Sequence, residues 1–128
     1  MKNLIININY IIKNKSKTKT LLKTTDWFCL QCKNMITSDF NRFLYDGKSE
    51  FNFTNPGGAK FNIILFNNAS GCFEIGKPTF EFAWFENYKW QFSVCSRCGF
   101  HLGWNYSGSN NFYGLIRTSL IKGETLFN

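Results

Sequence analysis

Two pairs of cysteines have the spacing of metal ligands. The segment C-L-Q-C contains Cys29 and Cys32, and the segment C-S-R-C contains Cys95 and Cys98. Zinc prefers four soft ligands in a tetrahedron, and each Cys-x-x-Cys turn can supply two of them. Because 62 residues separate the pairs, one ion would join the beginning of the domain to its late strands. The spacing predicts one structural zinc ion bound by all four cysteines.

Disulfides and a redox-active thiol pair are the alternatives for these cysteines. A redox pair would be expected beside a helix in a βαβ unit, which the sequence does not predict. Four protein ligands leave no open position for a substrate, so the zinc would not be catalytic. Cys72 is expected to be a small buried apolar residue. His101 is expected to play a structural or outer-sphere role rather than to bind the metal.

Three of the four tryptophans, Trp84, Trp90 and Trp104, lie within 21 residues of one another. Apolar residues alternate around them with a period of two, which predicts strands at 80–84, 90–94 and 100–106. Short connections would bring the ends of these strands together, so the tryptophans could form an aromatic cage. The alternative is that they belong to the core, where aromatic residues supply much of the buried area.

The composition predicts one all-β domain. The chain has 128 residues, of which 19% are aromatic, and the apolar residues occur in short alternating runs. The formal net charge of +7 is misleading, because residues 1–23 contain six lysines and no acidic residue, whereas residues 24–128 contain nine basic and eight acidic residues. A nucleic-acid-binding surface would need a basic stripe on the fold itself. Nucleic acid is therefore not an expected partner.

The chain ends are expected to contribute little to the fold. Residues 1–22 are predicted to be a poorly ordered basic extension, residues 23–123 the zinc-binding domain, and residues 124–128 a loose C-terminus. The apolar run near the N-terminus is interrupted by Asn7 and Asn9, lacks a small-residue cleavage site and is too short to span a bilayer. We expect a cytoplasmic monomer without membrane contact, with a cleaved signal peptide as the alternative.

Several motifs make residues 24–122 similar to the single-domain CULT proteins, the family named for the thalidomide-binding domain of cereblon. The motifs are C-L-Q-C, F-T-N-P-G-G, F-A-W-F-E-N-Y-K-W, C-S-R-C-G-F-H-L-G-W-N-Y and F-Y-G-L-I-R-T-S-L, in family order. The chain most resembles the bacterial members, because Phe82 stands where the vertebrate pattern has histidine. A side-chain hydrogen bond from that histidine would be lost here.

The resemblance implies a β-tent, in which one zinc ion pins together two roughly orthogonal antiparallel sheets. It also implies a pocket for cyclic imides, such as the glutarimide ring of thalidomide, or for uracil-type and uridine-type rings. The Phe82 carbonyl would accept a hydrogen bond from the ring N–H, and the Trp84 backbone N–H would donate to a ring carbonyl. Carried over by motif, the ligand-binding residues are Asn55, Phe82, Trp84, Trp90, Trp104 and Tyr106.

The sequence therefore favours a non-catalytic module that binds a small molecule or a modified chain end. One alternative is a methionine-R-sulfoxide reductase, which resembles this family in fold and zinc arrangement. That enzyme needs a nucleophilic cysteine late in the chain, and no cysteine follows Cys98. Another alternative is an interaction domain whose aromatic cage binds a peptide methylammonium group, because tryptophan faces attract such cations.

Overall fold

The computed structural model describes residues 24–127. The extension predicted for residues 1–22 lies outside this range. Within it, the chain forms two antiparallel sheets, which confirms the prediction of an all-β fold. No helix in the described range is long and apolar enough to cross a bilayer.

Nine strands and three short helical segments lie wholly within the described range. The strands are β1 (Asp26–Cys29), β2 (Met35–Ser38), β3 (Glu50–Thr54), β4 (Lys60–Phe66), β5 (Cys72–Thr79), β6 (Lys89–Cys95), β7 (His101–Ser107), β8 (Asn111–Ile116) and β9 (Leu120–Lys122). Two 3-10 helices span Asp39–Asn41 and Arg117–Ser119, and a five-residue α-helix, α1, spans Gly123–Phe127.

The two sheets divide the chain unequally. The small sheet has the order β2-β1-β9, so it joins the first strands of the described range to the last one. The large sheet has the order β3-β4-β8-β7-β6-β5. Each named strand pair in both sheets is antiparallel. Strands β5, β6, β7 and β8 are neighbours in chain order, so each consecutive pair forms a hairpin. On its other side, β8 pairs with β4.

The large sheet is covered on both faces at β4. Successive side chains of a strand point to opposite faces, and the four residues Ile63, Ile64, Leu65 and Phe66 are all fully buried. Ile64 and Phe66 pack in a cluster with Trp27 of the small sheet. Ile63 and Leu65 pack in a second cluster, which is rich in aromatic rings. This second cluster supports the pocket described below.

The prediction of a strand at residues 80–84 is wrong. Strand β5 continues through Pro78 to Thr79, with an irregularity in its pairing between Ile75 and Thr79, and residues 80–88 form turns. Phe82 has a φ of 57°, a left-handed conformation that an extended strand excludes. Trp84 therefore lies in a loop, whereas Trp90 and Trp104 lie in β6 and β7 as predicted.

The segment after Lys122 also differs from its prediction. The sequence predicts a loose end there, but Gly123–Phe127 form the short helix α1. Glu124 in the first turn of this helix lies 3.6 Å from the ammonium group of Lys122. An acidic side chain near a helix N-terminus is favourable because of the partial positive charge of the backbone there.

Candidate functional site

The four predicted metal ligands come together where the two sheets meet. Cys29 ends β1 of the small sheet and Cys95 ends β6 of the large sheet, while Cys32 and Cys98 lie in the turns that follow these strands. Their four Sγ atoms all lie within 4.8 Å of one another. The cluster therefore joins the two sheets through one group of side chains.

The spacing of the sulfur atoms fits a metal ion better than disulfides. The Sγ atoms of Cys29 and Cys98 are 3.7 Å apart, and those of Cys32 and Cys95 are 3.6 Å apart. A disulfide requires about 2.05 Å. A tetrahedron with Zn–S bonds of about 2.3 Å has edges of about 3.8 Å. These four residues could hold one zinc ion and would then supply all of its ligands.

The two cysteine turns have the same backbone hydrogen bonds. The N–H of Lys33 donates to the carbonyl of Cys29 at 2.8 Å, and the N–H of Gly99 donates to the carbonyl of Cys95 at 2.8 Å. Lys33 and Gly99 occupy equivalent positions and both have positive φ, 66° and 79° respectively. The Cys-x-x-Cys-x unit therefore folds in the same way twice and presents two thiols from each turn.

Hydrogen bonds prepare one of the thiols for metal binding. Burial raises the pKa of Cys95, but backbone N–H groups of Cys98 and Arg97 and the thiol of Cys32 outweigh it, so its pKa falls to about 7. The Arg97 N–H lies 3.4 Å from the Cys95 Sγ. Because a metal binds the thiolate form, this turn favours the state that a zinc ion needs.

The remaining cysteine and the histidine of the described range lie outside this set of ligands. Cys72 faces Cys95 across β5 and β6, and burial raises its pKa to about 12, which keeps it a neutral thiol. His101 forms a 2.9 Å hydrogen bond with the carbonyl of Gly103 and packs its ring against Trp104. Neither side chain belongs to the cluster of possible metal ligands.

A second site, the aromatic pocket, lies on the other side of the large sheet. Its volume is about 250 Å³. All six residues predicted to bind a ligand line it, together with two that were not predicted. The lining residues are Asn55, Pro56, Phe82, Trp84, Trp90, Phe92, Trp104 and Tyr106.

Strand register brings the pocket residues of β6 and β7 side by side. Trp90 is paired with Tyr106, and Phe92 is paired with Trp104. Residues two apart on a strand share a face, so all four side chains project from the same side of the sheet. Trp84 reaches this face from the 80–88 loop, with its ring centroid 5.0 Å from that of Trp104 and the two planes at 78°.

The loop that carries Trp84 is fixed by a strained turn. The N–H of Ala83 donates to the carbonyl of Phe80 at 3.1 Å, which closes a turn with Phe82 in the left-handed region. Glycine or asparagine usually occupies this turn position, because a larger side chain is disfavoured there. The Trp90 Nε1–H donates to the carbonyl of Glu81 at 2.6 Å and so ties the turn to β6.

Asn55 organises a second loop that lines the pocket. Its side-chain Oδ1 accepts from the N–H of Ala59 at 2.8 Å, and its backbone carbonyl accepts from the N–H of Gly58 at 2.9 Å. Gly58 has a φ of 92°, a conformation that glycine adopts without strain. Because Oδ1 is engaged in the loop, the side-chain NH₂ of Asn55 is the group that remains for a ligand.

Two backbone groups at the turn lack a hydrogen-bond partner within the part of the chain that the structure describes. Among residues 24–127, no hydrogen bond is formed by the Phe82 carbonyl or by the Trp84 N–H. These are the acceptor and the donor that the family resemblance assigned to ligand recognition. Their availability is a geometric property of this loop, which folds as a turn rather than as a paired strand.

The sequence missed Pro56 and Phe92 as pocket residues. Phe92 follows Trp90 by two positions on the same strand, so the period of two contained the information needed to place it. Its side chain is 42% exposed, which puts it at the rim of the pocket. Pro56 follows Asn55 in the loop and could have been inferred only from the loop's position in the fold.

These features define a class: an all-β domain with a four-cysteine metal centre between two sheets and a pocket lined by tryptophans. No protein-family model matches the chain. Curated relatives named "Protein cereblon" do match, from Danio rerio at 30% identity over 77% of this chain and from Drosophila simulans at 26% over 89%. The chain spans about a quarter of the Danio rerio protein and a fifth of the Drosophila simulans protein. It is a cereblon-like CULT domain.

Proposed function

We propose that this domain binds a cyclic imide or a uracil-type ring in the aromatic pocket and does not transform it. The observation that carries the proposal is that the six residues carried over by motif all line one pocket, although they come from three separate parts of the chain.

The size of the pocket suits a single ring. Sites for drug-sized ligands have volumes of roughly 300–1,000 Å³, and this pocket has about 250 Å³. Tryptophan faces would exclude water from a flat or slightly puckered ring and contact it on several sides. Such walls select for ring width, because a wider ligand would have to displace a side chain that is held by neighbouring aromatic rings.

The polar groups of the pocket suit an imide edge. A carbonyl, an N–H and a second carbonyl follow one another along that edge, and the Phe82 carbonyl and Trp84 N–H can pair with two of them. The Asn55 NH₂ supplies a further donor. Among the described residues that line the pocket, none is acidic, which favours a neutral ring over a methylammonium ion.

The chemistry of the chain does not favour a reductase. No cysteine follows Cys98 in the sequence. The four clustered cysteines would all serve as metal ligands, so none of them would be free to act as a nucleophile. Cys72 is a neutral thiol on the strand next to the metal centre rather than in the pocket. A binding role is therefore the function that the residues of the pocket support best.

The proposal predicts modest affinity and dependence on the imide N–H. A glutarimide ring with about eight heavy atoms, at about −0.7 kcal/mol each, gives a dissociation constant of tens of micromolar. Glutarimide and uridine should change the tryptophan fluorescence of the purified chain. Their N-methylated counterparts should not, because the methyl group removes the donor and occupies the space that the Phe82 carbonyl needs. Equal binding of the methylated compounds would contradict this orientation.

Substitutions test the walls of the pocket. Trp84→Ala and Trp104→Ala should each abolish measurable binding, because loss of one wall opens the pocket to water. Phe82→Ala should weaken binding less, since its proposed contact comes from the backbone. Trp27→Phe is the matched control, because Trp27 is buried in the other cluster and does not line the pocket. Retention of binding in both alanine variants would show that the ligand binds elsewhere.

A further inference from the structure

Trp84 is the tryptophan of the aromatic pocket that lies outside the strands. Trp90 and Trp104 belong to β6 and β7, whereas Trp84 belongs to the 80–88 loop. The Nε1–H of Trp90 is bound to a carbonyl of this loop. Within residues 24–127, neither the Nε1–H nor the backbone N–H of Trp84 forms a hydrogen bond. The position of its indole therefore depends on the rings that pack around it.

Phe53 packs flat against the indole of Trp84. The ring centroids are 4.8 Å apart and the two planes differ by 13°. Phe53 is not among the residues that line the pocket, so it supports Trp84 from outside the cavity. Phe53 also meets the ring of Phe85, the next residue of the loop, at 5.4 Å and 81°. Because Phe85 is buried in the core, Phe53 holds the loop through two neighbouring rings.

Strand pairing places Phe53 behind the pocket. Phe53 of β3 lies directly opposite Phe61 of β4. The Phe61 ring lies 5.3 Å from that of Trp104 and 6.0 Å from that of Trp84. The two phenylalanines therefore back two of the tryptophan walls. Closely packed side chains transmit a change in volume to their neighbours, so a smaller residue behind a wall would alter the cavity in front of it.

We infer that Phe53 is a positioning residue: by backing the indole of Trp84, it sets the thickness of the ligand that the pocket admits. This inference rests on the proposed function. Because the two ring planes are nearly parallel, the indole cannot move outward without displacing the Phe53 ring. A side chain without a flat ring at position 53 would leave space that the indole can enter. The pocket would then admit thicker ligands, although none of its lining residues had changed.

Two imides of different thickness provide the test. The compound β,β-dimethylglutarimide has the imide edge of glutarimide but carries one methyl group above the ring and one below it. Calorimetric titration of both compounds should show that the wild-type chain prefers glutarimide. In Phe53→Leu this preference should fall about fivefold, the factor expected when one aromatic pair is lost. Phe53→Tyr keeps the flat ring and should keep the wild-type preference.

Circular dichroism tests the position of Trp84 without a ligand. The rings of Trp84 and Trp104, with centroids 5.0 Å apart, are close enough for exciton coupling, and Trp84→Phe identifies the resulting couplet by removing it. Phe53→Leu should weaken this couplet, and Phe53→Tyr should keep it. Phe51→Leu is the matched control, because Phe51 lies on the same face of β3 and packs on Phe53 and Phe85. It should leave the couplet and the preference between the imides unchanged.

The outcomes that would overturn the inference are distinct. If both imides bind and Phe53→Leu keeps the preference, Phe53 does not set the thickness of the ligand. An equal change in Phe51→Leu would show a general loosening of β3 instead. If neither imide binds to the wild-type chain, the proposed function is refuted, and the couplet alone decides whether Phe53 positions Trp84. Should Phe53→Leu fail to fold, Phe53→Met, which has a flexible side chain without a ring, takes its place.

Discussion

The side chain of Trp90 has two roles. Its ring lines the aromatic pocket, and its Nε1–H holds the carbonyl of Glu81 at 2.6 Å. That carbonyl belongs to the turn in which Phe82 is strained at a φ of 57°. Strained residues persist where the surrounding structure holds them in place. Trp90 is therefore a positioning residue for the backbone groups that the proposed ligand would use.

Trp90→Phe separates these two roles. The substitution keeps an aromatic wall but removes the hydrogen bond to the turn, so ligand affinity should fall about tenfold while the melting temperature falls by only a few degrees. Titration of glutarimide and thermal unfolding measure the two effects. Gln91→Ala is the control, because it removes a 2.9 Å bond from the adjacent residue to the Gly76 carbonyl, away from the turn. Unchanged affinity in Trp90→Phe would mean that the turn holds its shape without the indole.

At the scale of elements, the two cysteine turns are a repeated unit with one difference in sequence. Gly99 occupies the left-handed position in the second turn, and Lys33 occupies it in the first. An L-residue with a side chain pays roughly 1–2 kcal/mol in that region, whereas glycine does not. A side chain at position 99 would meet no atom within 4 Å, so only the backbone conformation opposes a substitution there.

Exchanging these residue types should change stability in opposite directions. Lys33→Gly should raise the unfolding free energy by about 1 kcal/mol, less what is lost with the hydrogen bond from Lys33 Nζ to the Leu30 carbonyl. Gly99→Ala should lower it by about 1 kcal/mol, because alanine adds the strain without a steric clash. Urea unfolding in saturating zinc measures both variants. A loss of stability in Lys33→Gly would show that the side-chain contact outweighs the backbone strain.

At the scale of the whole molecule, the cysteine cluster and the apolar cluster of Trp27, Ile64 and Phe66 both join the sheets. A further connection is an ion-pair network around Asp39, which receives hydrogen bonds from Trp27 Nε1 at 2.7 Å and Arg42 Nε at 3.0 Å and pairs with Lys122 Nζ at 2.7 Å. Arg42 also contacts Glu50 of β3 at 3.3 Å. The small sheet is thus connected to the large sheet by ionic contacts as well as by the cysteine cluster.

Removal of the metal should unfold the domain or lower its melting temperature by tens of degrees, because a small domain gains much of its folding free energy from a structural zinc ion. Metal analysis should find about one zinc per chain. Cys95→Ser should lose the metal, and Cys72→Ala, on the neighbouring strand, should keep it. A Cys95→Ser protein that unfolds cooperatively at the wild-type temperature would refute the metal site.

The ion pairs of Asp39 should make the free energy of unfolding depend on pH. Burial tends to raise the pKa of Asp39, but Lys122, Trp27 and Arg42 outweigh it and hold the pKa below its usual 3.8. A carboxyl group with a lowered folded-state pKa stabilises the fold above its unfolded pKa, and this contribution disappears as the pH falls through the folded value. Asp39→Asn should therefore cost about 2 kcal/mol at pH 7, as expected for hydrogen bonds to a charged group.

The difference between wild type and Asp39→Asn should shrink below about pH 4. Urea unfolding of both proteins across this range measures it, and the comparison cancels the loss of metal that acid causes in each. A difference that stays constant from pH 7 to pH 3 would show that Asp39 contributes through packing rather than through its charge.

Local sequence patterns were sufficient to predict the features that depend on residues close together in the chain. Each Cys-x-x-Cys turn is closed by hydrogen bonds within five residues, so its spacing alone indicated two thiols on one turn. The alternation around Trp90 and Trp104 indicated strands, because side chains in a strand change face at every residue. The family motifs placed Asn55 and Tyr106 with the tryptophans, although they lie far apart in the chain.

The tertiary structure decided the features that depend on distant contacts. Phe82 continues an alternating pattern, yet it forms a turn because Trp90, eight positions later, holds the preceding carbonyl. The role of Asp39 depends on β9, whose Lys122 lies 83 positions further along the chain. Residue types fixed the chemistry that these side chains can perform. Their partners were set by strand pairing, which brings residues together without regard to their separation in sequence.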